Sequence, residues 1–246
     1  MRKIGGTKAL LLAAGLGMRL QPLTAQTPKC LVEINGRPLL FHWAEKLKDA
    51  GITEALINTH HLAEQVRAAI VAINASGALT LRERFEPTLL GSAGTLRANA
   101  SFLDNCDRIV IVYADNYSEV DLRDVLAYHG SHNLGLTIML FQATNPSACG
   151  IAETDPDDLI VRFTEKPDHP CSDLANAGLY VCDADIYREF ASIAAQDIGR
   201  DILSCFAGRM KGYRFNGFHR DIGTPESLLA VEHYLSNRGQ TATHGR

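Results

Sequence analysis

The 246-residue chain has no run of basic residues to set against its formal charge of −4, from 24 basic and 28 acidic side chains. A partner held chiefly through a polyanionic backbone is therefore not expected, which leaves out nucleic acid. A small anionic ligand stays open, since two or three well-placed cations suffice for it. The cysteines, Cys30, Cys106, Cys149, Cys171, Cys182 and Cys205, include no CxxC pair and no histidine at metal-ligand spacing. Most sit in apolar runs and are expected as buried free thiols of a reducing cytosol. No stretch approaches the ~20 apolar residues of a membrane span. Arg2 and Lys3 before the apolar run 9–16 outline a signal peptide, but the run is short and broken by Gly15 and Gly17, so a cytoplasmic protein is expected. There is no internal repeat, no hexapeptide array for a left-handed β-helix, and no G-x-S-x-G elbow around Ser92 to support a serine hydrolase.

What is present fits a single large domain with an ordinary apolar share of 46% and a charged share of 21%. Apolar periodicity alternates between strand and helix in the first half. Strands are predicted over 8–13, 54–59, 79–85, 108–114 and 136–143. Helices are predicted on Leu39, Leu40, Trp43, Ala44 and Leu47, on Leu62, Val66, Ile70 and Ile73, and over 91–100 and 122–132. Such alternation favours a mixed, mostly parallel sheet covered by helices on both faces, a Rossmann-like α/β fold. The second half is less regular: short strands at "GIAETD", "LIVRFTE" and "AGLYVCD", helices from Ala184 and over 198–206, a strand over 213–216, and a last helix from Pro225 with Thr224 as its cap. Residues 1–236 are expected to form one domain, with a frayed polar tail over 237–246.

The first strand runs into Gly15-Leu16-Gly17-Met18-Arg19. Two glycines let the backbone turn sharply and aim N–H groups at an anion, and Arg19 adds a fork of donors for phosphate oxygens. Lys29, after Pro28, can bring a second cation to the same place. A dinucleotide fingerprint would need glycine at position 20, where Leu20 stands. His60-His61, His129 and His132 lack a cysteine or carboxylate frame and are expected as helix-terminal or surface residues.

"GLGMRLQPLTAQTPK" resembles the GxGxRLxPLT…PK signature of the sugar-1-phosphate nucleotidyltransferases. "INTHHLAEQV", "EPTLLGSAGTL", "VYAD", "FTEKP", "NAGLYV" and "DIGTPESLLA" follow in the family's order, seven motifs in all. The resemblance implies attack of a sugar 1-phosphate oxygen on the α-phosphorus of a nucleoside triphosphate, with release of pyrophosphate. It implies catalytic roles for Arg19, Lys29, Asp115 and Lys166, and Mg²⁺ held by Asp115 and Asp221. Nucleotide contacts are implied for Ala14, Gly15, Gly17, Gly91, Ser92 and Gly94. A small β-rich sugar-binding subregion with Glu165, Lys166 and Asn176, and assembly as a homodimer, are also implied. The nucleophile is already anionic, so positioning and charge neutralisation are the chemical demands.

The compact form with "GSAGTL" and "DIGTPESLLAVE" looks most like the mannose- or heptose-1-phosphate guanylyltransferases, with GTP as donor. Uridylyltransferases acting on amino-sugar phosphates, cytidylyltransferases and thymidylyltransferases share most of these motifs. A catalytically silent nucleotide-sugar-binding subunit is the reading from another class; it would be expected to have lost cations or metal ligands that this chain retains. Two positions depart from the family pattern: Ala114 replaces a glycine before the first aspartate, and His219-Arg220 stand where a bulky aromatic is common before the second.

Overall fold

The computed structural model describes residues 6–103 and 106–243. In chain order the elements are β1 (Thr7–Leu12), β2 (Glu33–Ile34), β3 (Arg37–Pro38), α1 (Leu39–Asp49), β4 (Glu54–Thr59), α2 (Ala63–Asn74), β5 (Thr80–Phe85) and α3 (Gly91–Ala98). Then come β6 (Arg108–Tyr113), β7 (Asn116–Ser118), α4 (Leu122–Gly130), β8 (Leu136–Gln142), β9 (Gly150–Thr154), β10 (Ile160–Glu165) and β11 (Leu174–Asp183). The chain closes with α5 (Ala184–Ser192), β12 (Lys211–Arg214), β13 (His219–Asp221) and α6 (Pro225–Thr243). Among the described residues no helix is long and apolar enough to cross a membrane.

The predicted α/β architecture is present. One nine-stranded sheet runs β10-β9-β11-β6-β1-β4-β5, with β8 also paired to β11 and β12 paired to β8. Strands β5, β4, β1 and β6 are mutually parallel, whereas β11 lies antiparallel to β6, β8 and β9. The chain goes from β1 to β4 on one side and later to β6 on the other. The strand order thus reverses around β1, which opens a crevice at the carboxyl ends of β1 and β6, the usual place for a ligand in such sheets.

Strand alternation builds two cores. Ala9, Leu11, Val110, Val112, Leu179 and Val181 face α1, α2 and α4, with Trp43 and Leu47 packed among them. Leu10, Leu12, Ile109, Ile111, Tyr180 and Cys182 face the other way, toward α3 and α5 with Leu96, Tyr187 and Phe190. Each such side chain contributes roughly 1.5–3 kcal/mol by leaving water. That two-sided burial explains why β1 and β6 are continuous apolar runs.

Several local expectations change. The helix predicted over 198–206 is a π turn, Ile198–Ile202, followed by a 3₁₀ turn, Leu203–Phe206. The strand predicted over 213–216 is Lys211–Arg214, placed by its parallel register with β8. The last helix continues to Thr243, past the expected start of the tail; Thr224 Oγ1 accepts from Ser227 N at 3.2 Å at its start, as a cap should. Cys30, Cys106 and Cys182 are buried, but Cys171 and Cys205 are exposed because they lie in surface loops and turns. Two small sheets lie outside the apolar periodicity: the β2–β3 hairpin turning on Asn35-Gly36, and the pairing of β7 with β13.

His129 ends α4 as expected but is buried, not on the surface. Its ring nitrogens meet Thr137 Oγ1 at 2.9 Å and Asp183 Oδ1 at 3.3 Å, with Arg108 and His132 also nearby. Burial pushes its pKa below the ordinary value, outweighing the raising effect of Asp183. The unfolded chain therefore binds the proton more readily than the fold. Stability is fully present above about pH 6.5 and falls as pH drops from there toward the lower folded pKa. Urea unfolding between pH 7.5 and 5 is expected to show a shallower loss in His129→Gln than in the parent chain; equal slopes would contradict the buried neutral imidazole.

Candidate active site

The site begins where β1 and β6 end together. Leu12 pairs with Tyr113, and Ala114 N donates to Leu12 O at 3.0 Å, so the glycine turn and Asp115 leave the sheet side by side. Ala14 is buried and Gly15 exposed. Gly17 takes the left-handed conformation, φ 62°, with Thr24 so close that a Cβ would stand 2.8 Å from its methyl carbon. Thr24 Oγ1 donates to Gly17 O at 2.8 Å and holds the turn shut. Behind it, Ala13 N donates to Asn58 Oδ1 at 2.7 Å. Asn58 in turn donates to buried Glu86 and to Thr95, each at 3.0 Å, and Thr95 donates to Glu86 at 2.5 Å. This network fastens the glycine turn to β4, to the end of β5 and to α3.

Asp221 arrives on β13, whose antiparallel register with β7 sets Asp221 opposite Asn116, the residue after Asp115. Asn116 is fixed from both sides: its carbonyl accepts from Trp43 Nε1 at 2.9 Å and its amide donates to Ala177 O at 3.0 Å. Lys29 opens the tight turn Lys29–Leu31 after buried Pro28. Its Nζ lies 2.8 Å from Asp115 Oδ2 and 2.5 Å from Asp221 Oδ1. Burial alone would lower the Lys29 pKa, but the two carboxylates outweigh it and raise it above the ordinary range. Arg19 Nη2 stands 3.4 Å from Asp221 Oδ2, and Gly223 N donates to Asp221 Oδ1 at 2.8 Å. A Cβ at Gly223 would lie 2.9 Å from both Arg19 Nη2 and Asp221 Oδ1, so a side chain there would displace these groups.

Arg19, Lys29, Asp115 and Asp221, distant in sequence, thus converge on one point. Two hard carboxylate oxygens, one from the turn between β6 and β7 and one from β13, around a position that already favours a cation, fit a divalent ion that keeps water and phosphate oxygens as its other ligands. Among the described residues no group of three or more His, Cys, Asp or Glu forms a metal cage. The pair therefore suits an ion shared with a ligand.

The sugar-side candidates form a neighbouring wall. Glu165 ends β10 and Lys166 follows with φ 45°, its N–H donating to Cys149 O at 3.0 Å. Burial raises the Glu165 carboxyl above its ordinary range, against the lowering effect of Lys166. Burial also raises the Cys149 thiol, with Glu165 and Asp221 adding to the effect. Asn176 donates to Tyr180 Oη at 2.8 Å and accepts from Gly178 N at 3.0 Å. Gly150 and Gly199 line Glu165 closely: a Cβ would stand 2.6 and 3.1 Å from its Oε2.

Ser92 is hydrogen-bonded within the protein. Its hydroxyl donates to Asp197 Oδ2 at 3.0 Å and accepts from Ile198 N at 2.8 Å. Gly91, φ 74°, leaves room for Gln196 O, which a Cβ would meet at 2.3 Å. Gly94 is buried inside α3 against Leu90. The segment "GSAG" is therefore clipped to the loop that leads into the Gly199 turn. Asp197, Gly199, Tyr113, Tyr180 and Asn58 complete this frame and were not among the sequence candidates. Of the departures, Ala114 is buried with its N–H in the β1 contact. His219 is buried against Phe141, ring centroids 4.8 Å apart, with Nδ1 unpartnered among the described residues.

A glycine turn, two cations and an acid pair thus meet at the reversal point of a mostly parallel sheet in an α/β fold. The chain belongs to the nucleotidyl transferase family, whose model matches residues 8–238. It is 30% identical over 227 residues to a mannose-1-phosphate guanylyltransferase catalytic subunit beta of Drosophila pseudoobscura pseudoobscura, and 31% identical over 229 residues to a mannose-1-phosphate guanyltransferase of Pichia angusta. The matches cover 91% of this chain but only 61% and 62% of those relatives, so the chain spans less than two thirds of their length. Among solved structures it resembles a putative glucose-1-phosphate thymidylyltransferase from Bacillus anthracis in complex with a sucrose, with TM-score 0.81 and 25% identity over 93% of this chain and 95% of that one. HddC from Yersinia pseudotuberculosis shares the fold at TM-score 0.76 and 22% identity, covering 93% of this chain and 99% of that one.

The Ser92–Asp197 clip is a charge-assisted contact, for which about 1.5–3 kcal/mol is typical. Ser92→Ala and Asp197→Ala are each expected to lower urea-unfolding stability by roughly that amount. The double variant should lose clearly less than the sum of the two. Strict additivity would show that the two side chains do not act together.

Proposed function

We propose that the chain transfers a nucleoside monophosphate from a nucleoside triphosphate, GTP in the first place, to a sugar 1-phosphate such as mannose 1-phosphate. The carrying observation is the convergence of Arg19, Lys29, Asp115 and Asp221 at the carboxyl ends of β1 and β6. Guanylyl transfer is supported by the mannose-1-phosphate guanylyltransferase relatives. A sugar-phosphate oxygen attacks the α-phosphorus and forms the new P–O bond. The bond from that phosphorus to the bridging α–β oxygen breaks, and pyrophosphate leaves with the electron pair.

The acceptor phosphate is already anionic, so no side chain need remove a proton. The demands are to hold two polyanions together and to neutralise the charge that collects on the leaving group. Backbone N–H groups of the turn around Gly15 and Gly17 cradle the triphosphate, and Arg19 and Lys29 supply positive charge beside it. Asp115 and Asp221 would hold Mg²⁺, which when bound supplies charge neutralisation and orients phosphate oxygens. On the adjoining wall, Lys166 pairs with the sugar phosphate, while Glu165 and Asn176 accept and donate at the sugar hydroxyls. The glycines at 150, 178 and 199 keep that wall free of β-carbons.

A pyrophosphate-release screen with Mg²⁺, pairing GTP, UTP, CTP, ATP and dTTP with mannose, heptose, glucose and N-acetylhexosamine 1-phosphates, is expected to give its highest kcat/KM with GTP and mannose or heptose 1-phosphate. Release with no pair would overturn the proposal. Asp115→Ala is expected to lower kcat by at least about 100-fold. Lys166→Ala should raise KM for the sugar phosphate about tenfold or more with a smaller change in kcat. A Lys166 variant with an unaltered KM would remove that residue from the acceptor site.

A further inference from the structure

The two carboxylates that fit a divalent ion already have a cation between them. Lys29 Nζ makes contacts of 2.8 and 2.5 Å to one oxygen of each, and the side chain is only 7% exposed. The ammonium does not drift in from solvent. Buried Pro28 and the tight turn Lys29–Leu31 aim it there, and the 3₁₀ turn is closed by Leu31 N donating to Pro28 O at 2.8 Å. An ion bound by both oxygens at ~2.1 Å would need the space the ammonium fills. Arg19 brings a second positive charge to Asp221. Two carboxylates facing two cations leave no net negative charge to draw a metal out of water. No third acidic, histidine or cysteine ligand joins them among the described residues. Mg²⁺ gives up its water reluctantly and is poorly served by such a site on its own.

We infer that Lys29 is a resident counter-ion that keeps divalent metal out of the Asp115–Asp221 pair until a polyphosphate draws the ammonium away, so that metal and nucleotide bind as one unit. The inference rests on the proposed nucleotidyl transfer only for the identity of that polyphosphate. Phosphate oxygens offer Lys29 and Arg19 acceptors of the same charge as the carboxylates they leave. The exchange therefore exposes the acid pair just when a second set of oxygen ligands for the ion is at hand. By linkage, metal must strengthen nucleotide binding by the same factor that nucleotide strengthens metal binding.

The test uses the full chain and Mn²⁺ as the metal probe, with free Mn²⁺ read by electron paramagnetic resonance, with and without a non-hydrolysable GTP analogue. Without nucleotide, the parent chain and Lys29→Arg are expected to bind Mn²⁺ weakly. Lys29→Met should bind it about tenfold more tightly or better, within the ~5–150-fold range of ordinary coupling. Asp115→Asn placed on Lys29→Met should abolish that gain. With the analogue, the parent chain should bind Mn²⁺ tightly, beyond the Mn²⁺ that the analogue holds in protein-free solution. The inference is overturned if Lys29→Met binds no more tightly than the parent, or if an analogue that the parent binds leaves the parent's Mn²⁺ affinity unchanged. A tightened Lys29→Met whose parent binds no nucleotide at all would uphold the counter-ion and remove the nucleotidyl-transfer reading instead. Should Lys29→Met fail to fold, the parent chain's Mn²⁺ affinity with the bound analogue, referred to the analogue alone, decides the matter.

Discussion

The antiparallel contact of β7 with β13 is the constraint on which the candidate site depends. Asp115 is delivered by the central sheet, but Asp221 comes from the far end of the chain, and Ile222 N donates to Asp115 O at 3.3 Å beside it. Three paired residues, with Asn116 opposite Asp221, bring it there. So short a ladder could not hold by itself. It is braced by the indole of Trp43 and the carbonyl of Ala177 on Asn116, and by Phe218 stacked on Tyr234 of α6 at 3.9 Å between ring centroids. The hydrophobic core of one face and the last helix are therefore both committed to the position of a single carboxylate.

Electrostatics sets the rest of the arrangement. A lysine as buried as Lys29 would ordinarily lose its charge, and two carboxylates converging on one point would ordinarily repel. Each problem solves the other. The arrangement is stable only while the three groups stay together, since a buried charge left without its partner costs about 3–5 kcal/mol. A ligand that takes Lys29 must therefore supply compensation in the same event, which ties occupancy of the phosphate cradle to the state of the acid pair.

The large elements were legible in the sequence for a physical reason. β1 and β6 are buried on both faces, and α1 carries one apolar stripe, so periodicity marks them. Of the converging residues, Arg19 and Lys29 stood out as cations beside the glycine turn, whereas Asp115 and Asp221 were found as a pair only through the ordered motifs. What escaped was short or tertiary in origin. Strands β7 and β13 have three residues each, too few to show a period, and their pairing spans more than a third of the chain. The Asn35-Gly36 hairpin did carry a readable signal, a dipeptide suited to positive φ at both turn positions. The contact of Ser92 with Asp197 was not legible either, since the two residues lie 105 positions apart. Asp197 itself, accepting from Arg200 N at 2.9 Å, looks in sequence like any helix cap.

One strand, β11, serves two regions that have different tasks. From Leu179 to Asp183 it is laddered to β6, while β8 is laddered to it both from Leu174 to Asn176 and from Tyr180 to Cys182, and β9 touches it at Ala175. The register breaks between Asn176 and Tyr180, at Gly178, whose φ is 68°. Because β8 is laddered to β11 on both sides of that break, it acts as a splint: the stretch bearing Asn176 is tied to the stretch beside β6 by the same neighbouring strand.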